Sequence, residues 1–203
     1  MNEELIPFAP ACERNKQPIL EALQSLLPDQ GRVLEIGSGT GQHMVHFSSN
    51  LQHLEWQPSE RLENLPGLNM RLQLEAGVNV LPAIELDVGH DWPKSNYQAV
   101  ISANTAHIMG WPEVECMFAG IAAVLDDGGI FCLYGPFNEK GRFTSSSNEE
   151  FDQQLKLRDS RMGLRDVGDL DRLAFGQQMT LEQQLLLPAN NQILVFRRRR
   201  QTS

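Results

Sequence analysis

The run Val33-Leu34-Glu35-Ile36-Gly37-Ser38-Gly39-Thr40-Gly41 constrains this chain more than any other stretch. An apolar segment passes through an acid, glycines then alternate with small polar residues, and a helix-patterned segment begins at Gln42. Such a sequence folds as a buried strand, a tight turn and a helix start, the geometry in which backbone N–H groups approach a ligand closely. The spacing discriminates. A dinucleotide fingerprint, G-x-G-x-x-G, needs its third glycine where this chain has Gln42, and the glycine here falls one residue earlier, at Gly41.

Around this run, strand-like and helical segments alternate. Strands are predicted over 32–36, 53–57, 80–86, 99–103 and 129–135, and helices over 13–27, 42–49, 60–75 and 112–125, the third of them interrupted by Pro66-Gly67. That alternation gives an α/β fold with a mainly parallel sheet. Past residue 135 the pattern changes. Ser147-Asn148-Glu149-Glu150 reads as a capping box opening a polar helix, and a shorter helix is expected at 166–175. Two apolar-rich runs, 180–187 and 192–198, flank Pro188-Ala189-Asn190-Asn191 and predict a β-hairpin. The 203 residues are read as one domain, 1–203, with 138–175 an insertion over the carboxyl ends of the strands, where open α/β sheets bind ligands.

Composition mainly excludes. A net charge of −9 disfavours a nucleic-acid partner, and Arg197–Arg200 are read as a solubilising end to the last strand. Cys12, Cys116 and Cys132 form no CxxC and no zinc spacing, so no metal is expected and the thiols are read as reduced, in a cytoplasmic protein. No apolar run is long enough to span a bilayer, and no membrane partner is expected.

The E-x-G-x-G-x-G form of residues 35–41 resembles motif I of class I S-adenosylmethionine-dependent methyltransferases. That resemblance implies a seven-stranded Rossmann-like sheet closed by the C-terminal antiparallel hairpin, with S-adenosylmethionine as cofactor. It implies that Glu35 holds the cofactor's amino group, while Gly37, Ser38, Gly39 and Gly41 form the loop against its methionine and ribose portions. An acid at the end of the second strand would bind the ribose; in Trp56-Gln57-Pro58-Ser59-Glu60 either Gln57 or Glu60 takes that place. Asp87 and the Val88 amide would meet the adenine. The segment Asn104-Thr105-Ala106-His107 would lie beside the methyl group, with Asn104 touching cofactor or acceptor and His107 either a base or an orienting group. Tyr134, Pro136 and Asn138 are further lining candidates, and no Asn/Asp-Pro-Pro-Tyr signature is present.

A closer resemblance runs nearly end to end. Ala11-Cys12-Glu13-Arg14-Asn15-Lys16-Gln17-Pro18-Ile19-Leu20, Leu34–Gly41, Trp56–Glu60, Asn104–Ile108, Tyr134-Gly135-Pro136-Phe137, Phe151–Arg158, Gly163-Leu164-Arg165-Asp166 and Pro188–Asn191 are similar to an uncharacterised methyltransferase-like family, carried under a domain-of-unknown-function label, found in bacteria and animals. Met162 and Leu187 depart from its pattern, which has Trp and Met there. Arg14 and Asn15 are candidates for the methionine carboxylate or the acceptor. Arg158, Arg161 and Arg165, with Asp152 and Asp166, make either a solvated ion-pair network or an arginine clamp on a carboxylated molecule. The expected activity is methyl transfer to a small-molecule acceptor; the alternative is a non-catalytic binder of the cofactor or a derivative. An NAD-linked oxidoreductase is disfavoured by Gln42 and the final hairpin, and a protein or RNA methyltransferase by the charge and the covering insertion. The acceptor, its reacting atom and the oligomeric state are not encoded in these features.

Overall fold

The structure, a computed structural model, describes residues 6–200. Five parallel strands alternate with helices first: α1 (Pro10–Leu26), β1 (Gly31–Ile36), α2 (Gln42–Asn50), β2 (Leu54–Glu60), α3 (Leu65–Glu75), β3 (Ile84–Glu85), β4 (Tyr97–Ala103), α4 (Trp111–Val124) and β5 (Leu125–Gly135). The insertion supplies β6 (Phe137–Asn138), α5 (Ser146–Arg158), β7 (Arg165–Asp166) and α6 (Val167–Gly176) before the hairpin of β8 (Met179–Leu187) and β9 (Asn191–Arg198). The main sheet has the order β3-β2-β1-β4-β5-β9-β8, parallel through β5, with β9 antiparallel to both neighbours; β6 and β7 form a separate parallel pair.

Period-2 patterning explains why the sheet is covered on both faces. Val33, Ala99, Cys132 and Val195 pack with Ile19, Leu23, Phe47 and Trp56 on the face of α1 and α2. Their chain neighbours Leu34, Val100, Leu133 and Leu194 pack with Phe118, Ile121 and Leu170 on the face of α4 and α6. Two buried faces require near-continuous apolar strands, and β1, β4 and β5 have them. Among the described residues no helix is long and apolar enough to cross a membrane.

Three expectations shift. The second strand does not stop at Gln57 but continues through Pro58 to Glu60, and the following helix starts only at Leu65. The third strand shrinks to Ile84–Glu85, with Val80 reduced to a single bridge to Trp56. Pairing with β1 carries β2 through Pro58, and Pro58, with no N–H to offer the third-strand segment, leaves β3 to pair with β2 only at Ser59 and Glu60. The cap of α5 is Ser145, whose side chain accepts from the Asn148 N–H, rather than Ser147.

Chain order reverses between β1 and β4: β1 leads outward to β2 and β3, whereas β4 and β5 build the other half. A crevice opens at the carboxyl ends of strands at such a switch point, because the two crossover connections leave in opposite directions. The arginine run lies at the opposite end of the sheet, where Arg197 pairs with Glu182 (2.7 Å), Arg198 with Asp127 (3.5 Å), and Arg199 stacks over Phe175.

Candidate functional site

A cavity of about 630 Å³ occupies this switch point. Its floor is the turn after β1, with Gly37, Ser38, Gly39 and Thr40 in the lining. Gly37 has φ +71°, and a Cβ there would stand 2.8 Å from Thr105 Cγ2, so only glycine fits. Gly39, at φ +53°, differs: a Cβ on it would meet no protein atom closer than the Gly37 carbonyl oxygen at 4.0 Å. The side-chain space of Gly39 is open. Ser38 ties the turn to β2, its N–H donating to the Ser59 carbonyl (2.9 Å) and its Oγ accepting from the Ser59 N–H (3.2 Å). Gly41, at φ +77°, begins α2 and packs on Leu68 and Arg71 outside the cavity.

Acids end the strands around the turn. Glu35 is 2% exposed; burial, reinforced by Glu60, pushes its carboxyl up to about 7 against an opposing hydrogen bond from Ser38. Its Oε2 is buried without a hydrogen-bond partner among the described residues. Glu60 lines the cavity, its Oε2 accepting the Gly39 N–H at 2.7 Å and its Oε1 the Arg61 N–H at 2.9 Å. Gln57 does not line it. The Gln57 amide donates to the carbonyls of Pro58 (3.1 Å) and Pro82 (2.7 Å), filling the gap that proline leaves between β2 and the third-strand segment. Of the two residues left open for one role, only Glu60 stands at the cavity. Asp87 and Val88 line the same space beyond β3, and Asp87 lies 3.6 Å from Arg61 Nε.

At the end of β4 the candidates separate. Asn104 lines the cavity with φ +60°, its N–H donating to the Tyr134 carbonyl at 2.9 Å. Its side chain makes no hydrogen bond with the described residues. His107 is turned away: its ring lies edge-on to Phe151 with centroids 5.2 Å apart, against Gly135, and burial followed by Arg165 lowers its pKa to about 4. The Tyr134 phenol is buried on the α1 face beside Asn15, its pKa raised by burial against that hydrogen bond. Neither His107 nor Tyr134 lines the cavity: His107 packs against Phe151 of α5, and Tyr134 lies among the side chains packed on α1. Arg14 is exposed on α1, with no hydrogen bond or ion pair among the described residues. The arginine clamp does not form. Arg158 is exposed and away from the cavity, the Arg165 guanidinium is spent on backbone carbonyls, and Arg161 pairs with Asp159 (2.8 Å) and Glu113 (3.4 Å).

Other residues arrive from elements whose docking the local pattern did not show. Gln42, standing where a dinucleotide loop would have glycine, accepts the Ala9 N–H (2.6 Å) and donates to Glu13 (3.0 Å). This brings Ala9 and Cys12 into the cavity wall beside His43. His43 Nε2 lies 2.7 Å from Asn15 Oδ1; burial, with His46 and Lys16, lowers its pKa to about 4 and leaves it neutral at pH 7. The Cys12 thiol is raised by burial and by Glu35, so it stays protonated. The far wall is built by Ile108, Met109 and Gly110 and by Asp159, Arg161 and Met162 of the turn after α5. Cys12 and Ile108 lie inside the motif runs quoted above, and Arg161 and Met162 were singled out beside them; Ala9, His43, Met109, Gly110 and Asp159 carried no such signal.

The backbone is similar to solved methyltransferases. CalO1, a methyltransferase in calicheamicin biosynthesis solved in its SAH-bound form, superposes with TM-score 0.77 at 15% identity over 92% of this chain and 54% of its own. An O-methyltransferase family protein from Burkholderia thailandensis gives 0.80 at 13% identity over 95% and 58%. An O-methyltransferase family 2 protein from Planctomyces limnophilus, solved with apigenin, gives 0.77 at 12% identity over 93% and 60%. This chain thus spans little more than half the length of the structures it matches, and at these identities the likeness shows the fold: the Rossmann-like fold of class I S-adenosylmethionine-dependent methyltransferases. Residues 6–198 match the family described as "Protein of unknown function (DUF938)", and the chain belongs to that family.

Proposed function

We propose that this chain binds S-adenosylmethionine across the carboxyl ends of β1, β2 and β4 and transfers its methyl group to a small-molecule acceptor. The observation that carries the reading is the Glu35 carboxylate, buried on the strand that leads into the glycine turn with Oε2 unpartnered among the described residues. An unmatched buried acceptor is costly unless a donor arrives with the ligand, and an ammonium group meets that need. Glu60 would take the ribose hydroxyls, and Asp87 with the Val88 amide the adenine, so three successive strand ends match the three donor groups of one molecule. When bound, S-adenosylmethionine supplies an electrophilic methyl group. The chain's own part is holding and alignment, the main requirement of an in-line displacement. The free Asn104 amide would orient the acceptor, and the turn 159–162 would exclude water. His43 is neutral and engaged by Asn15, and His107 faces the α5 packing, so neither is assigned as a base; the acceptor would bring its own nucleophilicity.

The withdrawal of His107 and Tyr134 from the cavity favours a second reading, a binder of the cofactor without turnover. Calorimetric titration with S-adenosylmethionine, S-adenosylhomocysteine and NAD tests the cofactor. Binding of the two sulfur ligands with NAD silent is the expected result, and silence from both sulfur ligands in folded protein would overturn it. Transfer of label from methyl-labelled cofactor into a small-molecule fraction then separates enzyme from binder.

The roles of Glu60 and Gln57 also separate by mutation. Glu60→Ala is expected to weaken S-adenosylhomocysteine binding by about tenfold or more, the worth of a charged hydrogen bond. Gln57→Ala is expected to leave affinity unchanged and cost about 1–2 kcal/mol in urea unfolding through its two abandoned carbonyls. The reverse pattern would move the ribose contact to Gln57.

A further inference from the structure

Two of the motif runs, Asn104–Ile108 and Gly163–Asp166, are partners of each other. The Gly163 N–H donates to the His107 carbonyl at 3.0 Å. The Leu164 N–H donates to Asp152 Oδ1 at 2.8 Å, and Lys156 Nζ sits 2.6 Å from the other oxygen of that buried carboxylate. Gly163 has φ +151°, and a Cβ on it would stand 2.8 Å from Asp152 Oδ1, which accounts for the glycine. Between these contacts lies Arg165, whose Nε donates to the Ala106 carbonyl (2.9 Å) and whose Nη2 donates to the carbonyls of Met109 and Arg161 (3.1 Å to the latter).

That guanidinium touches no carboxylate among the described residues. Its N–H donors go to three peptide carbonyls, and burial lowers its pKa against the charges of Asp152 and Glu113. The carbonyls it joins belong to opposite walls: Ala106 and Met109 to the segment carrying Ile108, Met109 and Gly110, and Arg161 to the turn carrying Asp159, Arg161 and Met162. The walls meet at Gly110, where a Cβ would lie 3.4 Å from Arg161 Cβ. Residues 104–110 lie between β4 and α4 with no ladder of their own to fix them. Backbone bonds hold Asn104 to Tyr134 and His107 to Gly163, and the carbonyls of Ala106 and Met109 are held by a side-chain donor, Arg165.

We propose that Arg165 is a positioning residue for the cofactor: without touching the cavity, it holds the irregular segment after β4 and the turn after α5 at the separation the ligand needs. The proposal rests on the cofactor reading above. A planar fork suits it, because one rigid group reaches carbonyls on both walls, which an ammonium on a flexible stem does not reproduce.

The test is titration of wild type, Arg165→Lys and Arg165→Ala with S-adenosylhomocysteine, alongside thermal unfolding and amide exchange of residues 106–110 without ligand. Arg165→Ala is expected to lose about tenfold or more in affinity. Its exchange at Ile108 is expected to rise while β1, β4 and β5 stay protected, and Arg165→Lys should fall between it and wild type. Added guanidinium ion is expected to restore part of the affinity of Arg165→Ala. Equal affinity of wild type and a folded variant would overturn the role of Arg165 alone. Failure of wild type to bind would overturn the cofactor reading and this proposal with it. If Arg165→Ala does not fold, Arg165→Lys decides: unchanged affinity and exchange count against, a loss of both in a folded protein counts for.

Discussion

Gly39→Val is expected to abolish S-adenosylmethionine and S-adenosylhomocysteine binding while leaving the fold in place. The side chain would enter space that no protein atom occupies, since the nearest atom to a Cβ there is the Gly37 carbonyl oxygen at 4.0 Å. The residue sits in the lining, so that space is open cavity. The backbone cost of an L-residue at φ +53° is about 1–2 kcal/mol, tolerable for a domain with ordinary stability. Gly37→Val supplies the contrast. There the side chain would collide with Thr105 Cγ2, and the expected loss is of folding as well as of binding. Calorimetry and thermal unfolding read both variants, with Gly39→Ala as the milder probe. Wild-type affinity in folded Gly39→Val would remove the cofactor from the glycine turn.

Replacing Glu35 by glutamine is expected to move stability and affinity in opposite directions. Burial raises the folded-state pKa of Glu35 from its ordinary 4.5 to about 7. Between those values the folded state binds more protons than the unfolded one, so this group's contribution to stability is present below pH 4.5 and falls as pH rises towards 7. The loss amounts to about 3 kcal/mol above pH 7. Glutamine removes the titration. The ligand-free variant should therefore be the more stable at pH 8, with a flatter stability profile in urea unfolding, yet bind S-adenosylhomocysteine about 10- to 100-fold more weakly through the lost charged hydrogen bond. In wild type, affinity should climb from pH 6 to 8 as the carboxylate forms. A variant that is less stable at pH 8, or that binds as well as wild type, would show that Glu35 is held by the protein rather than kept for a cation.

The candidate site was legible unevenly. Gly37, Gly39, Asp87 and Asn104 line the cavity where the motifs put them, because each is fixed by a strand end or by a backbone angle that only a few residue types tolerate, whereas Glu35 is buried on the strand that leads into the turn and does not itself line the cavity. Glu60 against Gln57 was not decidable locally. Which of the two lines the cavity turned on how far β2 runs past Pro58. His107 and Tyr134 carry suitable chemistry at suitable positions, yet they pack on the α5 and α1 sides and do not line the cavity. Arg14 and Arg165 were read by their charge, whereas one is exposed to solvent and the other braces two walls from behind.

What the sequence determined by itself was the alternation of α and β, the parallel sheet with its final hairpin, and the tight turn after the first strand. These rest on period-2 and helical patterning and on glycine's access to positive φ, all of which act over a few residues. What only the tertiary structure decided was which polar groups share the cavity: the reach of β2, the docking of α1 through Gln42, and the clasp between residues 106–109 and 161–165. Those outcomes hang on contacts between residues tens of positions apart. A side chain's composition states what it can bond, and the packing of distant elements settles which partner it meets.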